Sequence, residues 1–430
     1  MFCIDNPKVK NLLLKGNIGL EKEGLRVLES GYLALSAHPL KDVRYVTRDF
    51  AENQLEINTK VLKSEKEAIN ELNKQSLIIH KKLASMSEYL WPFSNPPYIR
   101  DENDLPIAKY EEKDAHQRKY REHLSDIYGR YKMSFCGIHY NYSFCDELLE
   151  EDFSYKKLKR FKEYKNALYM DLAKKMEVYG WIITAVTAAS PIVDSSFLEK
   201  GKTGDSRFLG MASLRCSEIG YWNHFTPLLD YSDIYNYVKS VKRYVNEGYL
   251  SQASELYYPI RLKPAGINSL DSLEKNGIDH IELRMIDINP LESAELNLKD
   301  LVFAKLLMVW LACSNPLKLK KHEQIMSIQN FKNAAYYDLD MVNIFLPDMG
   351  MVSARKAGIE IIEKMEEFFK EDSGDIKEVL LFEKEKFLDA KMRYSSIIYE
   401  KYRDDYVKKG IILAKKRQEE IIKKECFITT

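Results

Sequence analysis

Acidic residues recur two positions apart in this sequence, and in a strand residues i and i+2 share a face. In IGLEKEGLRV, Glu21 and Glu23 fall on one face, with Leu20 and Lys22 on the other. In FAENQLEINT, Glu52, Gln54 and Glu56 oppose Leu55 and Ile57, and Asp49 stands just ahead. In GIHYNYS, Gly137, His139, Asn141 and Ser143 oppose Ile138, Tyr140 and Tyr142. In HIELRMIDINP, Glu282 and Arg284 are backed by Ile281, Leu283 and Met285. Gathered on one sheet, these polar faces would bring together several carboxylates, one imidazole and one guanidinium. Carboxylates that close repel one another, and each is costly to desolvate without a partner. Hard oxygen ligands around a single imidazole suit Mg²⁺ or Mn²⁺ rather than structural zinc. The plain alternative is four solvated strand faces. Against it, such faces usually mix Lys, Thr and Ser with Glu, whereas Glu21/Glu23 and Glu52/Glu56 are acid-only or acid-amide. Spacing alone thus reaches a metal-dependent enzyme, with ATP among its candidate substrates.

Other chemistries find less support. SFLEKGKT approaches the phosphate-cradling G-x-x-x-x-G-K-[ST], but Ser196 stands where the first glycine belongs, and Pro191 and Asp194 interrupt the approach. Residues 194–207 are expected to be a flexible loop. No G-x-S-x-G elbow, HExxH or strand-borne GxGxxG occurs. His116 and His123 read as helix surface, and Cys136 as core. Short Arg–Tyr segments are more suggestive. Tyr120–Arg121, SLR at 213–215, Gly220–Tyr221 and ELYYPIR at 255–261 place guanidinium and hydroxyl groups near turns. Arg grips carboxylate or phosphate bidentately and Tyr offers a hydroxyl on a rigid body, a combination suited to a small zwitterion.

The elements that must position these residues follow from hydrophobic period. Period two marks strands at 17–27, 52–58, 135–143 and 280–288. Helical spacing marks 116–127, 154–178, 231–247, 297–313, 354–371 and 377–422, the last in two or three pieces. Another helix contains Ile69, Leu72, Ile79 and Leu83, with Ser64 and Glu67 as a capping box. No regular crossover helix joins one strand to the next, which predicts α+β with an antiparallel sheet covered on one face. Residues 406–425 carry seven Lys/Arg against three Glu, expected of a solvated helix face.

The 430 residues hold 65 Lys plus Arg and 65 Asp plus Glu, and zero net charge argues against a nucleic-acid partner. The apolar stretch 301–313 is too short to span a bilayer and is broken by Lys305, so no membrane association is expected. Six cysteines without CxxC spacing suit a reduced, cytoplasmic setting. A monomer is expected.

Taken in order, IGLEKEGLRV, TRDFAENQLEINT, LWPFSNPPYI, KYREHLSDIYGRYKMSFCGIHYNYS, AASPIVDSSFL, ASLRCSEIGY, ELYYPIRLK and HIELRMIDINP resemble bacterial glutamate–cysteine ligase of the gammaproteobacterial type. They also resemble the ligase half of bifunctional glutathione synthases. The resemblance runs from about residue 17 to 315. It implies a glutamine synthetase-like fold, an antiparallel sheet curled into a funnel with outer helices. It implies an ATP-dependent ligase that joins glutamate to cysteine through a γ-glutamyl phosphate. Glu21, Glu23, Asp49, Glu56, His139 and Glu282 match the metal-binding set, and Arg284 the residue that neutralises the transferring phosphoryl group. Tyr120, Arg121, Arg215, Tyr221 and Tyr257 match substrate contacts, the last two on the cysteine side. Glu52 matches an acid without an assigned role. The expected organisation is one catalytic domain over 1–430, with 316–430 its mainly helical C-terminal part and no room there for a second ATP-using domain. A γ-glutamyl ligase using another amine keeps the same chemistry; a guanidino-type phosphotransferase or a binding protein that has lost its metal carboxylates would not.

Overall fold

The computed structural model describes residues 1–372 and 374–428. Among them are eleven strands: β1 Gly16–Leu28, β2 Val46–Arg48, β3 Gln54–Asn58, β4 Glu88–Leu90, β5 Gly137–Phe144, β6 Ile192–Asp194, β7 Ser206–Phe208, β8 Ile260–Pro264, β9 Ile278–Asp287, β10 Asn343–Leu346 and β11 Gly350–Ser353. Seven form one sheet in the order β2-β3-β1-β5-β9-β8, with β4 joined to the far end of β1. Every pairing in it is antiparallel. The sheet is strongly curled, a half-barrel with helices outside.

The apolar strand faces dictate what covers the sheet. Ile18, Leu20, Leu55, Ile57, Ile138, Tyr140, Ile281 and Leu283 are all buried. The helices Glu65–Ala84, Phe161–Tyr179 and Trp181–Thr187 pack on them. Ser64 caps the first of these by accepting from Glu67 N at 3.2 Å. Behind them runs Leu298–Cys313, apolar nearly all round, whose Lys305 reaches Glu65 at 2.8 Å. The C-terminal helix Tyr406–Ile428 lies against Glu65–Ala84 and β4.

The structure departs from the sequence expectations in several places. The helix expected over 154–178 is two, Asp146–Tyr155 and Phe161–Tyr179, broken at Lys157 with φ 53°. No Gly or Pro marks that break. Residues 194–207 are not wholly loop, because β6 and β7 pair across them as a hairpin. Strand β3 begins at Gln54, leaving Glu52 in a turn. The back of the sheet is not wholly apolar either. Lys22 is ion-paired with Glu295, which also holds Arg417 at 2.8 Å, and Arg26 is paired with Glu88 at 2.6 Å. All five of these residues are buried. Arg417 therefore leaves the basic helix face expected to be solvated and braces β1 from behind. Strand β8, the helices Trp181–Thr187 and Lys321–Ala334 and the hairpin β10–β11 had no counterpart in the period-based reading. No described helix is long and apolar enough to cross a membrane.

Candidate active site

Sheet register brings the polar strand faces together. Glu21 is the cross-strand partner of His139, Glu23 of Glu56, and Asn141 of Glu282. Such pairs hold their Cβ atoms within about 5.5 Å, so four strands supply one cluster. Glu21 Oε2 lies 3.0 Å from His139 Nδ1, Glu282 Oε1 3.8 Å from the same nitrogen, and Glu23 Oε1 3.6 Å from Nε2. Ligand atoms of Glu21, His139 and Glu282 all lie within 4.8 Å of one another.

Arg284 joins them through an irregularity. The β5–β9 register shifts between Ile138 and Tyr140, opposite the stretch that contains Arg284. Bulges bend a strand and re-aim a side chain. Here Arg284 Nη1 stands 3.3 Å from Glu282 Oε1 and 3.4 Å from His139 Nδ1. Its backbone is tied on both sides: its N–H donates to Pro259 at 2.9 Å, and its carbonyl accepts from Arg215 Nη2 at 2.8 Å. Arg215 in turn lies across Gly137, where a Cβ would sit 2.1 Å from the guanidinium.

Burial sets the charges. It pushes the carboxyl of Glu23 up, and Asp49 nearby adds to the rise. Glu56 rises for the same two reasons, burial first and Asp49 second. Burial also acts on Glu282, but Arg284 and then Lys263 outweigh it and hold that carboxyl well below its usual range. Burial and then Arg284 lower the imidazole of His139, which is therefore neutral and able to serve as a ligand. His139 Nε2 and Glu282 Oε2 are buried without a hydrogen-bond partner. Hard oxygens, one neutral imidazole and buried donor atoms left over are a set that fits a divalent cation.

The remaining expected site residues ring this centre. Asp49 follows β2 and is half-buried, its N–H bonded to Gln54 O at 3.2 Å. The helix Ala115–Tyr128 brings Arg121 to the carbonyl of Asp49 and over the Tyr110 ring at 4.8 Å. On the same helix, Tyr120 bonds towards Ser254. Tyr221 and Tyr257 face each other with ring centroids 4.3 Å apart. With Arg215 and Arg284 they line a cavity of about 40 Å³. On the other side of the centre, Glu21, Asn141 and Asn58 line a cleft of about 310 Å³ whose rim carries Lys165, Asp279 and His280. Glu52 stands apart from the cluster. Its two carboxylate oxygens accept from His38 N at 2.9 Å and Lys109 N at 2.8 Å, which fastens two loops.

Strand β8 adds two cations: Arg261, which ends the Arg–Tyr segment read at 255–261, and Lys263, which sequence reasoning did not place in the site. Arg261 is the cross-strand partner of Glu282 and Lys263 that of His280, and Lys263 Nζ stands 3.3 Å from Glu282 Oε1. The alternation in Pro259-Ile-Arg-Leu-Lys-Pro264 was the available signal.

Comparison with known proteins agrees with this geometry. The family model described as glutamate–cysteine ligase matches residues 1–249 and 225–334. The glutathione biosynthesis bifunctional protein GshAB of Listeria welshimeri is 35% identical over 379 residues, 85% of this chain and 49% of the relative. That of Listeria monocytogenes is 35% identical over 398 residues, 89% and 51%. The chain thus spans about half the length of the curated relatives it matches. Among solved structures, glutamate–cysteine ligase of Francisella tularensis in complex with AMP superposes with a TM-score of 0.85 at 23% identity, covering 95% of this chain and 89% of that one. A bifunctional glutathione synthetase from Pasteurella multocida gives 0.84 at 22%, covering 97% and 54%. At those identities the likeness establishes the fold.

Proposed function

This chain belongs to the glutamate–cysteine ligase family, and we propose that it joins the γ-carboxyl of L-glutamate to the amine of L-cysteine at the expense of ATP. The products are γ-glutamylcysteine, ADP and phosphate, as in the first step of glutathione synthesis. One observation carries the reading. A charged centre of carboxylates, imidazole and guanidinium stands between two differently shaped spaces, a larger open cleft and a small cavity walled by tyrosines.

The cleft lined by Glu21 and Asn141 is the nucleotide end, and the tyrosine-walled cavity is the acceptor end. Transfer of a phosphoryl group needs positioning and neutralisation more than covalent help. Arg284 is built for that: it is fixed at its backbone, aimed at the centre, and planar, so it can grip phosphoryl oxygens bidentately. Lys263 and Arg261 add positive charge from the neighbouring strand. Glu21, Glu23, Asp49, Glu56, His139 and Glu282 would hold Mg²⁺ or Mn²⁺, supported by the orphaned atoms of His139 and Glu282. Such ions, when bound, offset the negative charge of the polyphosphate and of the attacking carboxylate. Tyr221 and Tyr257 offer hydroxyls to the acceptor amino acid, and Tyr120 and Arg121 border the same end.

The test is ATP turnover with glutamate, with and without cysteine, followed by mass analysis of the product. ADP and a species of γ-glutamylcysteine mass should form only when all three substrates are present. ADP formation indifferent to glutamate, or glutamate joined only to a different amine in an acceptor screen, would contradict the assignment.

A further inference from the structure

We infer that Asn223 is a positioning residue that sets acceptor affinity by fixing the tyrosine box, and this rests on reading the tyrosine-walled cavity as the acceptor end. Tyr221 and Tyr257 both lie on irregular backbone. Among the described residues, 209–233 contain no helix or strand, and 256–259 link a short 3₁₀ turn to β8. Neither segment has a ladder of its own to hold a ring in place. The two rings nevertheless sit 4.3 Å apart, and Tyr128 packs edge-on to Tyr257 at 5.2 Å.

One amide bonds both segments. Asn223 is two residues from Tyr221 and buried. Its Nδ2 donates to the carbonyl of Glu255 at 2.8 Å and to the Tyr128 hydroxyl at 2.9 Å. Its Oδ1 accepts from the N–H of Tyr257 at 2.8 Å. Three pieces of chain therefore meet at this side chain: the Tyr221 loop, the Tyr257 segment and the end of the helix Ala115–Tyr128. A carboxamide has both donors and an acceptor at this length, a combination that Asp, Ser or Leu does not offer.

A second layer keeps the amide's partners in place. The Tyr128 hydroxyl donates to Glu255 Oε1 at 3.1 Å. Glu255 Oε2 accepts from the N–H and hydroxyl of Ser251 at 2.7 and 2.6 Å and faces His123 Nε2 at 3.2 Å. Asn223 is absent from the cavity wall, whereas Tyr221 and Tyr257 are on it. Its influence on the acceptor must pass through those rings. The ties that hold Arg284 run from Pro259 and Arg215 in the same two segments, but they bond Arg284 directly and do not pass through the Asn223 amide.

The experiment separates acceptor binding from activation. Asn223→Ala and Asn223→Asp should raise the cysteine KM about ten- to a hundredfold, the scale expected when buried bonds are lost and a binding group shifts by an ångström. Glutamate and ATP KM should stay within about threefold of the parent in the same variants. So should glutamate-dependent exchange of the ATP βγ-bridge oxygen without cysteine, which reports activation alone. Tyr128→Phe removes only a hydroxyl and should raise the cysteine KM about fivefold, so it decides the matter if the Asn223 variants do not fold. An unmoved cysteine KM in a folded variant overturns the inference. So does a parallel loss of oxygen exchange, because that marks a general structural role. Absence of glutamate-dependent exchange in the unmodified chain would instead tell against the ligase reading beneath it.

Discussion

At the residue scale, the decisive arrangement is a neutral imidazole among three carboxylates and one guanidinium. Burial and then Arg284 lower the His139 imidazole, so it adds little positive charge to the acids around it. Glu56→Gln and Glu282→Gln keep shape but remove a carboxylate. Each should lower turnover by about a hundredfold or more with an unchanged circular dichroism spectrum. A variant near parental turnover would remove that residue from the centre. Arg284→Lys should lose about tenfold or more in kcat, because a point charge does not replace a planar fork. Tyr221→Phe should raise the cysteine KM about ten- to a hundredfold, the worth of one hydrogen bond to a charged group, with ATP KM unmoved. Glu56, Glu282, His139 and Arg284 were readable in the sequence because i, i+2 alternation fixes which side chains share a face, whereas Tyr221, on irregular backbone, was named from its short Arg–Tyr segment and the family resemblance. Arg261 and Lys263 follow the same rule but lie on a five-residue strand that follows Pro259 and ends in Pro264. Asn223 follows no period at all, since loop contacts depend on where distant segments come to rest.

At the element scale, strand β1 is loaded on both faces. Its front offers Glu21 and Glu23, and its back holds Lys22 against Glu295 and Arg417. Lys22→Met leaves the Glu295 carboxylate with one cation fewer in a buried site. Because Arg417 still pairs with Glu295, denaturant unfolding should then show a loss of about 1–3 kcal/mol. Gly137→Ala would drive a methyl into a guanidinium that is itself tied to Arg284, so overpacking of about 1–3 kcal/mol should come with a clear fall in kcat. The helix Glu65–Ala84 adds a pH signature. Burial, followed by the nearby cations Lys22 and Arg417, lowers His80 to about 3. The unfolded chain protonates this histidine near its ordinary value of about 6.5, whereas the folded chain keeps it neutral. The stability it contributes is therefore full above about pH 6.5 and erodes as pH falls towards 3. The denaturation midpoint of His80→Gln should fall less steeply across that window, and parallel curves would contradict this. The long elements were legible because their periods run for many residues. The back of β1 was not: alternation assigns a face but does not reveal that a lysine on it will find a buried carboxylate 273 positions further along the chain. The break at Lys157 escaped for a related reason, since a left-handed non-glycine residue leaves no compositional mark.

At the scale of the whole molecule, the proposed function divides the curled sheet between two kinds of recognition. Nucleotide chemistry is assigned to the cleft beside Glu21, acceptor chemistry to the tyrosine box, and the acids lie between them. The antiparallel, one-face-covered sheet followed from strands without regular crossovers, and the curl from the family resemblance. The C-terminal helices were foreseen only as charged helices; their part in bracing β1 emerged from the packing of Arg417. Excess chelator should abolish turnover, and Mg²⁺ or Mn²⁺ should restore it; full activity in chelator would remove metal dependence from the account. The central claim, that glutamate is activated as an acyl phosphate, is tested most directly with glutamate carrying ¹⁸O in its γ-carboxyl group. The account predicts one labelled oxygen in the inorganic phosphate and ADP as the nucleotide product. Unlabelled phosphate, or AMP with pyrophosphate, would contradict it.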